Sequence, residues 1–131
     1  MPLGDVTYQN DSLDDLVGGW PATGAKYHLY TSDPALEDDP TDVELTSTGG
    51  YAAVDFDPSD WAAADDGTKS TTSPVSFGTA TAEWSDVATY WAIVDSDGLI
   101  VFSDALTSPI GALGADFAPA FTPSLSFASD G

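Results

Sequence analysis

The sequence predicts an all-β domain, a β-sandwich or barrel-like fold with a short N-terminal helix. Three observations predict it. Roughly six or seven short runs have strand character, turn residues punctuate them about every eight to twelve residues, and aromatic and branched side chains are plentiful enough to fill a core. Hydrophobic residues make up 42% of the chain, with four Trp, five Tyr and six Phe, which argues for a folded domain over disorder. A length of 131 residues sits in the single-domain range. The expected division is an N-terminal arm with the helix at residues 1–23 and the β-sandwich domain at residues 24–131.

The elements follow in chain order. Asp11 or Ser12 is placed to cap a short helix carrying Leu13, Leu16 and Val17 at helical spacing, and Gly18-Gly19 stops it. Tyr27-His28-Leu29-Tyr30-Thr31, starting from Lys26, is an aromatic-rich strand that ends at the turn Ser32-Asp33-Pro34-Ala35. Residues 37–42 have almost nothing to bury and read as an acidic surface loop, with a short strand at Val43-Glu44-Leu45 after it. In Tyr51-Ala52-Ala53-Val54-Asp55-Phe56 the alternation points Ala52, Val54 and Phe56 inward. Residues 57–73 read as a long surface loop anchored by Trp61, and strand character resumes at Val75, Phe77 and Thr79–Ala82. The clearest signal is a hairpin: Val87 to Asp95, a turn at Asp95-Ser96-Asp97-Gly98, then Leu99-Ile100-Val101-Phe102. A turn-rich connection through Pro109 and Gly111-Ala112-Leu113-Gly114 leads to a last strand near Ser124–Ala128. Trp84, Trp91, Phe77, Ile93 and Val101 are expected in one packed core.

Charge bounds the partners. Twenty-two acidic residues, of which only Glu37, Glu44 and Glu83 are Glu, stand against Lys26 and Lys69, for a formal net charge of −20 with no Arg. Such one-signed charge destabilises a compact state at low ionic strength, whereas at molar salt the Debye length falls to about 3 Å and repulsion is largely screened. The composition therefore reads as adaptation to a salt-loving host, set against an acidic protein of a low-salt organism or a polyvalent calcium binder whose carboxylates the metal neutralises. Nucleic acid and anionic membrane surfaces are disfavoured as partners, since both need Lys and Arg. With no Cys, disulfides and thiolate zinc sites are excluded. A soluble chain without an export signal is expected, because no basic segment precedes an apolar stretch and no apolar run reaches about 18 residues.

Catalytic chemistry finds little support. A nucleophilic triad lacks a base other than His28, which lies inside a strand and reads as a structural or surface residue. No nucleophile elbow, phosphate loop or dinucleotide fingerprint is present. The expectation is a non-enzymatic protein without a cofactor. Asp55, Asp57, Asp60, Asp95 and Asp97 are the candidate cation ligands, set against the plainer reading that they are solvated turn residues, as is the cluster at residues 37–42. Asn10-Asp11-Ser12 is a glycosylation sequon that helix capping explains equally well. Residues 109–121 carry Ile110, Leu113, Phe117 and Phe121 with Asp116 as the one charge. They form either a buried connection through the domain's own core or an exposed interface for a homo-oligomer, a trimer or higher ring.

Across residues 24 to 128 the chain resembles small β-rich structural proteins of tailed viruses, of the tail-fibre or minor virion type. The residues that carry the resemblance are Tyr27–Pro34, Gly49-Gly50-Tyr51, Val75–Ala80, Glu83-Trp84, Val87, Tyr90–Asp95 and Gly114-Ala115-Asp116-Phe117. Where that pattern often has an Arg after Gly-Gly-Tyr and a Gly after the Trp, this chain has Ala52-Ala53 and Ser85. The resemblance implies a virion protein, in the host cytoplasm during assembly, with other capsid or tail proteins as partners. A capsid surface component, decoration or turret, is the leading expectation. Tail-fibre or baseplate placement, or a non-viral cell-surface binding module, is the alternative.

Overall fold

The computed structural model describes residues 6–21, 23–45, 48–84, 86–111 and 116–126. Residues 112–114 of the expected turn-rich connection, Leu113 among them, and the 127–128 end of the last predicted strand lie outside the described residues. One helix, α1 (Val6–Gly18), precedes eight described strands: β1 (Lys26–Tyr30), β2 (Val54–Asp55), β3 (Thr68–Ser70), β4 (Val75–Ser76), β5 (Val87–Val94), β6 (Ile100–Gly111), β7 (Ala120–Phe121) and β8 (Ser124–Ser126). They form an antiparallel four-stranded sheet in the order β2-β1-β5-β6 and two ribbons, β3-β8 and β4-β7. The all-β expectation holds, and among the described residues no barrel closes.

Helix α1 starts five residues before the predicted cap, so Asp11 and Ser12 lie inside it. The reason is a longer inward stripe: Gln9, Leu13 and Val17, spaced four apart, are all buried, whereas Leu16 points outward at 46% exposure. Gly18-Gly19 ends the helix as expected, with Gly19 N–H donating to Asp15 O. Polar contacts then bind the helix to the loop before β3. Asn10 Oδ1 accepts from Gly67 N, and Asp14 Oδ1 accepts from both Ala64 N and Lys69 Nζ.

In β1 and β5 the period-two rule places Tyr27 and Leu29 opposite Ile93 and Trp91 on the inner face, all buried. Trp20, which follows the helix, meets Phe56, Trp61 and Phe102 at ring distances of 5.5–5.8 Å. Trp91 continues the array to Phe102 and Phe121. Trp84, Trp91, Phe77 and Ile93 share this one core, with Val101 packed against it, as the sequence predicts.

Five sequence expectations change. The strand expected at Val75, Phe77 and Thr79–Ala82 is limited to β4, because Gly78 at a φ of 78° turns the chain just after it. Val43-Glu44-Leu45 makes a single bridge to Tyr30 instead of a strand, because the acidic segment before it is wound into short 3-10 turns at Pro34–Leu36 and Pro40–Val43, capped by Asp33 and Asp39. Tyr51–Phe56 is regular only at β2. Left-handed Gly49 and Gly50 set its entry, so Tyr51 is buried while Ala52 is exposed. The expected surface loop at 57–73 holds a 3-10 turn at Pro58–Asp60 and then folds back on itself, with bridges Trp61↔Thr71 and Asp65↔Thr68, and β3 finds a partner in β8. Finally, β6 runs on to Gly111 where a connection was expected, and β7 pairs with β4.

Candidate functional site

A cleft of about 450 Å³ opens where β6 departs from its partner strand. From Tyr90 to Ala88 strand β5 advances two residues, while β6 advances five, from Ala105 to Ile110. Leu106, Thr107, Ser108 and Pro109 therefore bow out of the ladder in a wide bulge, a place where Pro109, lacking an N–H, does no harm. The facing side of the cleft is formed by Phe117 and the segment Ala120–Ser124, and buried Trp91 also lines it. Phe117 is held by its neighbours' backbone: Asp116 adopts a left-handed φ of 71°, its N–H donates to Ala80 O at 2.9 Å, and Phe117 O accepts from Ala80 N. The side chain stays 36% exposed. Thr107, Ser108, Thr122, Ser124 and Asp104 are the polar residues of the lining, and Asp104 Oδ1 accepts from Ala105 N at 2.8 Å.

Of the predicted interface residues, Ile110, Phe117 and Phe121 meet at this cleft. Ile110 is buried in the core and Phe121 packs on it, leaving Phe117 as the one with substantial exposed surface among the three. The polar residues from β6 and from 122–124 went unread in the sequence. Ser, Thr and Pro in those stretches resemble turn residues, and only the folded register brings the two stretches together.

The predicted cation ligands do not converge. Asp57 Oδ1 caps the Pro58–Asp60 turn by accepting from Ser59 N, and this contact holds its carboxyl below the ordinary range. Asp95 Oδ1 accepts from Asp97 N and Leu99 N, closing the hairpin turn that contains Asp97. Asp55 and Asp60 share a second cleft of about 290 Å³ with Thr71, Thr72 and Ser73. Asp55 also lies 3.8 Å from Lys26 Nζ. Among the described residues no group of three His, Asp or Glu side chains is arranged to hold a metal ion. Asn10 in the sequon is half-buried, with its amide oxygen engaged by Gly67.

His28 belongs to a structural network. Its Nδ1 lies 2.7 Å from Glu44 Oε2, which also accepts from the Tyr51 hydroxyl at 2.9 Å, and that hydroxyl in turn accepts from Leu29 N. Burial opposes the Glu44 charge, but the His28 contact and the Tyr51 hydroxyl outweigh it and hold the carboxyl below its ordinary range. Burial drives the Tyr51 and Tyr30 phenols far upward. Tyr27, which accepts from Trp61 Nε1, is pushed up to about 12 mainly by burial.

These arrangements tie distant segments of a β-rich fold together and leave surface clefts between them. Residues 7–124 match the family model described as podophage GP4 fiber I protein gp80, and the chain belongs to that family. No curated protein gives a match.

Proposed function

We propose that the chain is a non-enzymatic structural component of the tail fibre of a tailed virus, resident in the virion and assembled with other tail proteins and with copies of itself. The family match over residues 7–124 carries this reading. The family description names a fibre, so the fibre placement is preferred to the capsid-surface placement that led the sequence reading. Two lysines, both within reach of aspartates, leave no basic patch for nucleic acid. The acidic surface supports a saline environment for the virion. Immunogold labelling of purified virions tests the placement. Gold over the tail is expected, and gold distributed over the head would return the protein to the capsid surface.

A further inference from the structure

We propose that the cleft bounded by Asp55 and Asp60 binds a hydrated divalent cation of the magnesium type. The site is independent of the fibre placement, because it rests on the groups that meet in the cleft. Strand β2 brings Asp55, the 3-10 turn Pro58–Asp60 brings Asp60, and the segment between β3 and β4 brings Thr71, Thr72 and Ser73, around a space of about 290 Å³. The backbone fixes Asp60 against that segment: its carbonyl accepts from Thr72 N at 3.0 Å and from Thr72 Oγ1 at 3.3 Å. A second, independent observation points to a ligand. Thr71 lines the cleft and is 7% exposed, yet its Oγ1 is buried without a hydrogen-bond partner, the one such side-chain atom among the described residues. Leaving a buried hydroxyl unpaired costs free energy, and a water carried in the shell of a bound cation supplies the missing partner.

Of the three aspartates in this stretch, Asp57 is engaged as a turn cap, which leaves Asp55 and Asp60. Burial is the main cause of the raised Tyr27 pKa and the Asp60 charge adds to it, so that carboxylate acts on a further residue of the lining. The Asp55 side chain is 91% exposed and meets Lys26 Nζ at 3.8 Å, a contact between exposed groups that contributes little. Both aspartates are therefore open to an ion arriving from solvent. Carboxylate and hydroxyl oxygens are hard donors, suited to magnesium, calcium and manganese and not to the thiophilic metals. Ligand number then narrows the class. Calcium takes about six to eight oxygen ligands, whereas magnesium dehydrates reluctantly and is held through one or two carboxylates while keeping several of its waters. Two carboxylates beside a space roomy enough for several waters match the second description. An anionic ligand would meet two like charges.

Paramagnetic NMR of the full chain in molar NaCl, where sodium screens loose attraction of ions to the acidic surface, tests the site. The probe is Mn²⁺, which shares magnesium's preference for octahedral oxygen ligands. Amide signals of Asp55, Asp60, Thr71, Thr72 and Ser73 should broaden at the lowest Mn²⁺ concentrations, and added Mg²⁺ should restore them. Asp60→Asn should weaken binding about tenfold. Asp38→Asn, which removes the same charge from an exposed position in the acidic loop, should leave it unchanged. Lys26→Gln carries the opposite expectation: with the cation beside Asp55 gone, binding should tighten about twofold. If Asp60→Asn disturbs the turn, Asp55→Asn at its exposed position repeats the measurement, with the same weakening expected. Broadening spread evenly over the acidic surface, or undiminished binding by a folded aspartate variant, would overturn the site. Displacement of Mn²⁺ by Ca²⁺ at far lower concentrations than by Mg²⁺ would overturn the magnesium assignment.

Discussion

Glu44 feels opposed influences at one atom: burial raises the free energy of its charge, and the contacts of His28 and Tyr51 with Oε2 lower it by more. Its carboxyl is thus held below the ordinary range in the folded chain and is ordinary in the unfolded one. A depressed folded pKa means the contribution is fully present above the unfolded value and is lost as pH falls through the folded value. Asp14 behaves likewise, its carboxyl lowered first by Lys69 and then by the Ala64 amide. In molar salt the melting temperature should be level near neutrality and fall on the acid side of about pH 4. Glu44→Gln should melt lower at neutral pH and lose part of that acid slope, as thermal denaturation across pH would show. A parallel acid limb in the variant would mean that Glu44 carries none of it. Trp91 lies between Tyr27, Phe102 and Phe121 at 2% exposure, so Trp91→Ala should cost roughly 3–5 kcal/mol by denaturant titration. An unchanged midpoint would contradict the core described above.

At the scale of elements, Gly49 explains why Gly-Gly-Tyr stands where it does. Its φ is 77°, its carbonyl accepts from Trp84 Nε1 at 3.1 Å, and a Cβ at this position would collide with the Trp84 ring. Gly49→Ala should therefore displace Trp84, reduce the near-ultraviolet circular dichroism and lower stability by about 1–3 kcal/mol. A native-like spectrum would show that the turn can move without cost. The same comparison tells which elements were legible. The β5-β6 hairpin was readable because apolar runs flank Asp95-Ser96-Asp97-Gly98, whose turn geometry is encoded locally by the Asp95 side chain. The second half of β6 was not, because residues 103–109 have the composition of a turn, and the strand is held only by the pairing of Ser103, Asp104, Ala105, Ile110 and Gly111 with β5 across the sheet. Strands β4, β7 and β8 are two or three residues long, too short to show a period, and each exists only through a distant partner. At the cleft, the apolar spacing of Ile110, Phe117 and Phe121 was visible in the sequence. The meeting of the polar residues of β6 with those at 122–124 depended on tertiary register.

Over the whole molecule, electrostatics opposes what packing achieves. Both lysines already face aspartates, so of 22 carboxylates the 20 that make up the net charge depend on solvent ions and on local contacts such as backbone N–H groups. Some carboxylates have local answers: Asp33, Asp39, Asp57 and Asp95 each accept from nearby backbone amides, which gives them a structural role independent of salt. The others repel over distances that depend on the Debye length, about 10 Å at 0.1 M and about 3 Å at 1 M. Raising NaCl across that interval should therefore raise the melting temperature steeply and then level off once neighbouring carboxylates are screened. Acid separates repulsion from the loss of specific contacts. At low salt a fall in pH from 7 towards 5 begins to discharge the surface and should stabilise the fold, before the protonation of Glu44 and Asp14 reverses the trend. At molar salt the first gain should be absent, because screening has already removed the repulsion, and only the acid decline remains. Thermal denaturation on a grid of pH and NaCl concentration reads both effects together. A melting temperature indifferent to salt at pH 7 would mean that the acidic surface does not limit stability, and the reading of the chain as adapted to a saline environment would fall with it.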